Sequence, residues 1–247
     1  MDALHSLAGK IAIVTGGSRG LGREMALAFA KAGADLVIAS RKLDACEAVA
    51  KEVEALGRRA LPLAAHVGRW ADNDGLAEAA YKAFGRVDIL VNNAGMSPLA
   101  PSLGETSEEL FDKVIAINFK GPFRLSSLIG ERMVAGEGGV IINLSSTAAF
   151  LPMPHTIPYG GAKAAVNAMT VSLAKAFAPK VRVNCIAPGP FLTDVSTVWR
   201  EDQTAKAALG LKRFGDPSEI VGAALFLASD ASSYMTGQVI RVDGGSW

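Results

Sequence analysis

Seven short runs of apolar residues recur along the chain, and each is apolar at consecutive rather than alternating positions. They are KIAIVT (10–15), DLVIAS (35–40), ALPLAA (60–65), VDILVN (87–92), GVIINLS (139–145), VRVNCIA (181–187) and QVIRVDG from 238. A strand wet on one side alternates apolar and polar residues, so runs of this kind need both faces covered. That is the requirement of a parallel sheet between two layers of helices. Alanine- and leucine-rich segments fill the intervals, near 20–32, 42–56, 72–84, 107–134, 157–178 and 217–228. TSEEL at 106 and DPSEI at 216 supply capping residues followed by first-turn acids. The pattern predicts an α/β chain with one doubly wound, mostly parallel seven-stranded sheet and helices on both faces. No Pro/Ser-rich linker, low-complexity tract or sequence repeat breaks the rhythm, and 247 residues suit a single domain.

Charge and cysteine usage narrow the function. The formal net charge is +1, and no basic run offers a nucleic acid or an anionic membrane its counter-charge. Arg58-Arg59, a tight basic pair, reads as a solvated helix end. Cys46 and Cys185 lie far apart with no CxxC pattern, and the three histidines (His5, His66, His155) do not suggest a zinc centre, so no metal site is expected. The opening MDALHSLAGKIAIVTGG lacks the basic and apolar regions of a signal peptide, and no apolar run reaches the roughly 18 residues of a membrane span. A soluble, reduced, cytoplasmic protein is the expectation.

In open parallel sheets ligands bind beyond the carboxyl ends of the strands, so the residues that follow each strand are the candidates. After the first strand, TGGSRGLGREM places Gly16, Gly20 and Gly22 at the opening of a helix, with Ser18, Arg19 and Leu21 between them. Glycines let the backbone approach a pyrophosphate, whose charge is favoured at a helix N-terminus. The spacing is G-x-x-x-G-x-G rather than G-x-G-x-x-G. After the second strand stands Ser40-Arg41, where a carboxylate would bind ribose hydroxyls and repel a 2′-phosphate. With Arg19 in the glycine loop, two guanidinium groups suit that phosphate and favour NADP(H) over NAD(H). NNAGMSP, which includes Asn93, Ala94 and Gly95, follows the fourth strand. Ser145-Ser146 follows the fifth, and APGPFLTD, with Pro188, Gly189 and Thr193, follows the sixth. Finally, HTIPYGGAKAAVNAMT (155–170) sets Tyr159 and Lys163 four apart, hence on one helix face, among residues small enough to leave room for a ligand.

These motifs, in this order, resemble the short-chain dehydrogenase/reductase family. The resemblance runs from Gly9 to the terminal VDGGSW. It rests on TGGSRGLG, NNAG, INFKGPF, INLSS, YGGAK, APGPFLT and RFGDPSEIVGAALFLASDASSYMTGQVIRVDGG. It implies a single-domain Rossmann fold and an oxidoreductase moving a hydride between NADP(H) and a carbonyl or secondary alcohol. Carried across residue by residue, Tyr159 is the acid/base, Lys163 its partner, and Asn118 a fourth catalytic member that supports Lys163. Ser146, thirteen residues before the tyrosine, is the serine that steadies the substrate oxygen; only this family spacing separates it from Ser145. Tyr159 and Lys163 also touch the cofactor, and Thr193 with the Pro188-Gly189 turn holds the nicotinamide amide. Since a free tyrosine titrates near pH ~10, the Lys163 ammonium and the positive charge of an oxidised nicotinamide are expected to pull the phenol down toward neutrality. His66 stands where many relatives carry an aspartate that binds the adenine amino group. It either contacts adenine, with the Val67 backbone beside it, or packs as an ordinary loop residue. Relatives are commonly dimers or tetramers, which makes a homo-oligomer the expectation.

The substrate is expected between Thr147–His155 and the region after Thr193, beside Phe150, Leu151, Met153, Val195, Val198 and Trp199. A segment at about 194–215 interrupts the strand–helix rhythm and reads as a lid. Apolar walls suit an apolar ketone or secondary alcohol. A 3-oxoacyl-acyl-carrier-protein reductase is the alternative, but its acidic partner calls for basic residues near the cleft. VAGEGG (134–139) offers only Glu137, with Arg124, Arg132 and Lys180 as partial compensation, so a reductase of free small carbonyl compounds is favoured. A non-catalytic dinucleotide-binding protein would be signalled by loss of Tyr159, Lys163 or Ser146, and all three are present.

Overall fold

Each of the seven apolar runs forms a strand in the computed structural model, which describes residues 3–194 and 201–246. The strands are β1 (Ile11–Thr15), β2 (Asp35–Ser40), β3 (Ala60–Ala64), β4 (Ile89–Asn92), β5 (Gly139–Leu144), β6 (Val181–Pro188) and β7 (Val239–Val242). They lie in the order β3-β2-β1-β4-β5-β6-β7, and every neighbouring pair is parallel. The helices are α1 (Gly20–Lys31), α2 (Leu43–Ala55), α3 (Trp70–Phe84), α4 (Glu108–Ile115), α5 (Gly121–Ala135), α6 (Ile157–Phe177), α7 (Gln203–Ala207) and α8 (Val221–Ala228).

Consecutive apolar residues split between two cores because successive side chains point to opposite faces of the sheet. Ala12, Val14, Leu36 and Ile38 face one way, against Met25 and Phe29 of α1 and Leu227 of α8. Ile13, Val37 and Leu90 face the other, against Leu125 and Ile129 of α5 and Val166 of α6. The edge strands depart from this rule. β3 and β7 are only half-buried, and Pro62 is tolerated in β3 because an edge strand has no second neighbour to serve.

From β1 the chain runs outward through β2 to β3, then returns to lay β4 on the other side of β1. The loops after β1 and β4 therefore diverge, and a crevice opens between them.

Two local expectations are revised. The single helix expected over 107–134 is broken into α4, a π-helical turn over Ala116–Lys120, and α5. The Asn118 side chain, buried within that turn, donates to the Val114 carbonyl (2.9 Å) and to the Met96 carbonyl (2.8 Å). A side-chain amide that competes for backbone carbonyls in this way disrupts the regular ladder. Arg58 and Arg59 are not simply solvated. Arg58 pairs with Asp35 at 2.6 Å, and the Arg59 guanidinium lies 4.5 Å from the centre of the Phe84 ring.

Leu90 is fully buried between the sheet and its helices. Leu90→Ala is expected to cost about 3 kcal/mol of unfolding free energy in urea titrations, because the helices cannot collapse fully into the space left. A loss below about 1 kcal/mol would contradict this packing.

Candidate active site

The mouth of the crevice is built by the β1–α1 loop closing against the end of β4. Thr15 stitches the two together: its hydroxyl donates to the Val91 carbonyl (3.2 Å) and accepts from the backbone N–H groups of Asn93 (3.0 Å) and Ala94 (3.1 Å). The Asn93 amide donates back to the Thr15 carbonyl at 2.9 Å. Gly16 holds a positive φ of 65°, and a Cβ there would stand 2.8 Å from Asn93 Nδ2. At Gly22 a Cβ would meet the Gly16 carbonyl at 2.2 Å, so the helix can press on the loop only because both positions are glycine. The loop thus presents the N–H groups at the start of α1 to the crevice, a position that favours an anion. Ser18 and Leu21 line the same turn and Arg19 extends into solvent, with the Asp194 carboxylate 4.0 Å away. From the far side, the Thr193 methyl lies 3.4 Å from where a Gly20 Cβ would be.

At the ends of β2 and β3 the predicted residues divide. Arg41 is exposed. The Ser40 hydroxyl is engaged with Cys46 Sγ (3.1 Å) and the Lys42 carbonyl (3.3 Å). His66 receives support from Asp72, which accepts its backbone N–H at 2.9 Å, while its Nδ1 is buried without a hydrogen-bond partner among the described residues. Val67 is buried, and its carbonyl accepts from Asn73 at 2.8 Å. Pro188 closes β6, and Gly189 packs so tightly on β7 that a Cβ would lie 2.6 Å from Asp243 Cβ.

The second half of the site stands over β5. Tyr159 occupies the first turn of α6 and is half-buried; Lys163, one turn later, is only 3% exposed. Lys163 Nζ donates to the Leu144 carbonyl at 2.7 Å and sits 5.7 Å from the centre of the Tyr159 ring. A Cβ on Gly95 would lie 3.0 Å from Asn118 Oδ1 and 3.6 Å from Lys163 Nζ, which places all three residues around one point. The two serines separate by their partners. Ser145 is buried and donates to the Lys163 backbone carbonyl at 3.0 Å, a structural tie between β5 and α6. Ser146 accepts from Ala148 N–H at 3.1 Å, and its hydroxyl is the group that works against the burial of the Tyr159 phenol.

The electrostatics differ from the expected pattern. Burial pushes the Tyr159 phenol above its ordinary value, and the opposing influence is the Ser146 hydrogen bond rather than the lysine. Burial also pulls Lys163 down to about 8, because no carboxylate accompanies its ammonium. Both groups therefore favour their neutral forms more than free side chains do.

A cavity of about 240 Å³ opens against Tyr159. Its walls come from the β4–α4 connection, from α4 and from residues 154–158. Of the expected apolar wall, Phe150 turns instead toward Arg241, 5.7 Å away, and neither Leu151 nor Met153 lines the cavity. Val195, Val198 and Trp199 lie outside the described residues. Pro98, Leu103, Leu110 and Val114 were not singled out as site residues. Their available signal was the long irregular stretch 93–107, since connections of that length tend to be functional. Among the described residues no cluster of histidine, cysteine and acids could hold a metal, and no helix is long and apolar enough to cross a membrane.

A dinucleotide fits these residues: the glycine cradle leaves no space for side chains, the start of α1 offers N–H groups, and the buried His66 Nδ1 lacks a partner. The family model described as enoyl-(acyl carrier protein) reductase matches residues 16–246. Human dehydrogenase/reductase SDR family member 4 is 35% identical, covering 100% of this chain and 90% of the relative. The 3-oxoacyl-[acyl-carrier-protein] reductase FabG of Thermotoga maritima is 37% identical, covering 97% of this chain and 98% of the relative. The structure of a 7α-hydroxysteroid dehydrogenase complexed with NADH and 7-oxo glycochenodeoxycholic acid superposes with a TM-score of 0.95 at 34% identity, covering 100% of this chain and 97% of that one. From sequence, fold and site alike, the chain belongs to the short-chain dehydrogenase/reductase family, oxidoreductases that use a nicotinamide dinucleotide on small-molecule substrates.

Proposed function

We propose that the chain catalyses NADP(H)-linked interconversion of a compact carbonyl compound and its secondary alcohol, with Tyr159 as the acid/base. The observation that carries this reading is the placement of Tyr159, with Ser146 acting on its phenol, one turn from buried Lys163 at the wall of a mostly apolar cavity. The dinucleotide, when bound, supplies a hydride to the carbonyl carbon or removes one from the alcohol.

In reduction, the Ser146 hydroxyl donates a hydrogen bond to the substrate oxygen, and Tyr159 gives that oxygen its proton. Burial keeps the phenol protonated near neutrality, which suits a proton donor. Lys163, at about 8, carries its charge under those conditions and favours the phenolate left behind. Asn118 acts through others: its amide is spent on Met96 and Val114, so it fixes the π turn and the Gly95 loop against Lys163. Arg41, with no acidic residue at the end of β2, and Arg19, whose exposed guanidinium stands 4.0 Å from the Asp194 carboxylate, support a preference for a 2′-phosphate, and His66 with Val67 would flank the adenine. Thr193, with Pro188 and Gly189, borders the nicotinamide side. Of the segment at about 194–215 expected as a substrate lid, residues 195–200 lie outside the described residues. The buried free thiols of Cys46 and Cys185 accord with a reducing, cytoplasmic setting. A homo-oligomer, dimer or tetramer, would cover exposed Phe111 and Phe123.

The carrier-protein reductase reading is less well supported than free substrates. The three basic residues expected to compensate in part are engaged: Arg124 with Asp74 (2.6 Å), Arg132 with Glu78, and Lys180 with the Gly136 carbonyl (3.0 Å).

Tyr159→Phe is expected to lower turnover at least 1,000-fold, with NADPH affinity within about threefold of wild type, as absorbance at 340 nm and calorimetric titration would report. Equal turnover in the two proteins would remove Tyr159 from the chemistry. The double variant Arg19→Ala/Arg41→Ala is expected to weaken NADPH at least tenfold more than NADH; an unaltered ratio would end the 2′-phosphate assignment. Lys163 gives a stability signature. Its folded value of about 8 lies below the ordinary 10.5, so between these the unfolded chain binds more protons and stability rises with pH. The unfolding free energy of wild type relative to Lys163→Met should therefore increase by about 2 kcal/mol from pH 7 to pH 10. A flat difference would show that the amine titrates normally.

A further inference from the structure

The cavity beside Tyr159 is small and chemically one-sided. Its volume of about 240 Å³ falls below the roughly 300–1,000 Å³ of pockets that enclose drug-sized ligands. Leu103, Leu110, Val114 and Ile157 give it apolar walls, and among the described residues no lysine, arginine, aspartate or glutamate lines it. Its hydroxyl groups are already committed. Ser102 donates to Glu105 (2.6 Å), Thr106 to the Ser102 carbonyl (3.4 Å) and Thr156 to the Met153 carbonyl (3.5 Å). Apart from Tyr159, one polar side chain remains. His155 lines the same cavity, and its imidazole makes no hydrogen bond or ion pair with any described residue.

We propose that this cavity holds the non-reacting part of a compact, mostly apolar carbonyl substrate that carries one further neutral hydrogen-bond acceptor, and that His155 donates to that acceptor. The inference rests on Tyr159 as the proton donor, since that fixes which end of the substrate reacts. The acceptor is an ester or a second carbonyl oxygen. An acceptor enclosed by apolar walls without a partner costs about 1–3 kcal/mol, so a substrate bearing one needs a donor there. A neutral imidazole always presents one N–H, whichever nitrogen bears the proton. The lack of any fixed cation on the walls favours a neutral acceptor over a carboxylate, whose desolvation would go uncompensated. Such a site discriminates by hydrogen bonding as well as by size, because a substrate without the acceptor forgoes the bond from the imidazole. His155 is therefore a specificity-determining residue, outside the proton transfer itself.

The test compares ethyl 3-oxobutanoate with 2-heptanone, a ketone of similar bulk without the second acceptor, using NADPH and the full chain. Wild type should show a KM at least tenfold lower for the keto ester. His155→Ala should raise the keto-ester KM at least fivefold more than the 2-heptanone KM, with little change in kcat. His155→Gln, which keeps an N–H donor, should recover part of the difference. Leu110→Trp, which fills the cavity from an apolar wall, should raise the KM of both ketones together. His155 is exposed, so its replacement leaves the core intact. The inference alone is overturned if wild type turns over both ketones without preference, or if His155→Ala leaves their KM ratio unchanged. If wild type oxidises NADPH with neither ketone, the proposed function and this inference fall together.

Discussion

Lys163 makes a 2.7 Å hydrogen bond to the Leu144 carbonyl at the end of the inner strand β5, and much of the site takes its position from that contact. A buried amine without a carboxylate partner is costly, and it stays in place only where surrounding structure leaves it no route to water. Here α6 is anchored twice to β5. The Lys163 side chain donates to Leu144, and the Lys163 backbone carbonyl accepts from Ser145. These two bonds set the height of α6 over the sheet and bring Tyr159, one turn earlier, above Ser146. Glycine and alanine around them matter for the same reason. Gly160 faces the Ala148 carbonyl so closely that a Cβ would lie 3.1 Å from it.

A second buried polar web steadies the strands beneath. The Asn92 amide donates to Asn143 Oδ1 and Ser126 Oγ, both at 2.9 Å, and Asn143 donates to Thr170 at 2.9 Å. This chain links β4 and β5 to α5 and α6, the elements whose ends carry Gly95, Asn118 and Lys163. Polar groups placed in a core are specific about register, because a slip of one residue would leave them unpaired. The adjacent asparagines of the NNAG motif thus divide their work: Asn92 fixes the sheet, and Asn93 fixes the glycine loop.

The sheet was legible because its chemistry is repetitive. Consecutive apolar residues admit few arrangements other than a covered parallel sheet, and strand-end glycines mark where a backbone must come close. Side-chain geometry was less accessible. Ser145 and Ser146 have the same chemistry in sequence, and only their opposite directions from the strand end assign one to α6 and the other to Tyr159. The π turn at Asn118 was invisible because its cause is a contact with Met96, distant in sequence. The direction of the Tyr159 shift was misjudged because proximity to an amine was weighed without the burial of both groups. The substrate wall expected after β5 is met at Pro154 and His155, and Val195, Val198 and Trp199 after β6 lie outside the described residues; the cavity also draws on the irregular 93–107 stretch, which carries no periodicity to read.

The two ends of the cleft have opposite character, and Tyr159 stands where they meet. Toward β1 and β2 lie the start of α1, Arg19 and Arg41, all of which favour negative charge. Toward α4 lies a cavity lined, among the described residues, by no charged side chain. A nicotinamide dinucleotide carries its pyrophosphate between its two nucleosides, so this gradient draws the phosphates to the start of α1 and keeps charge away from the apolar side. An uncharged substrate is sorted the opposite way, by the hydrophobic walls. Charge therefore positions one ligand and burial positions the other. Neither requires flexibility at the serine, tyrosine and lysine, which the anchoring of buried Lys163 already holds at the boundary.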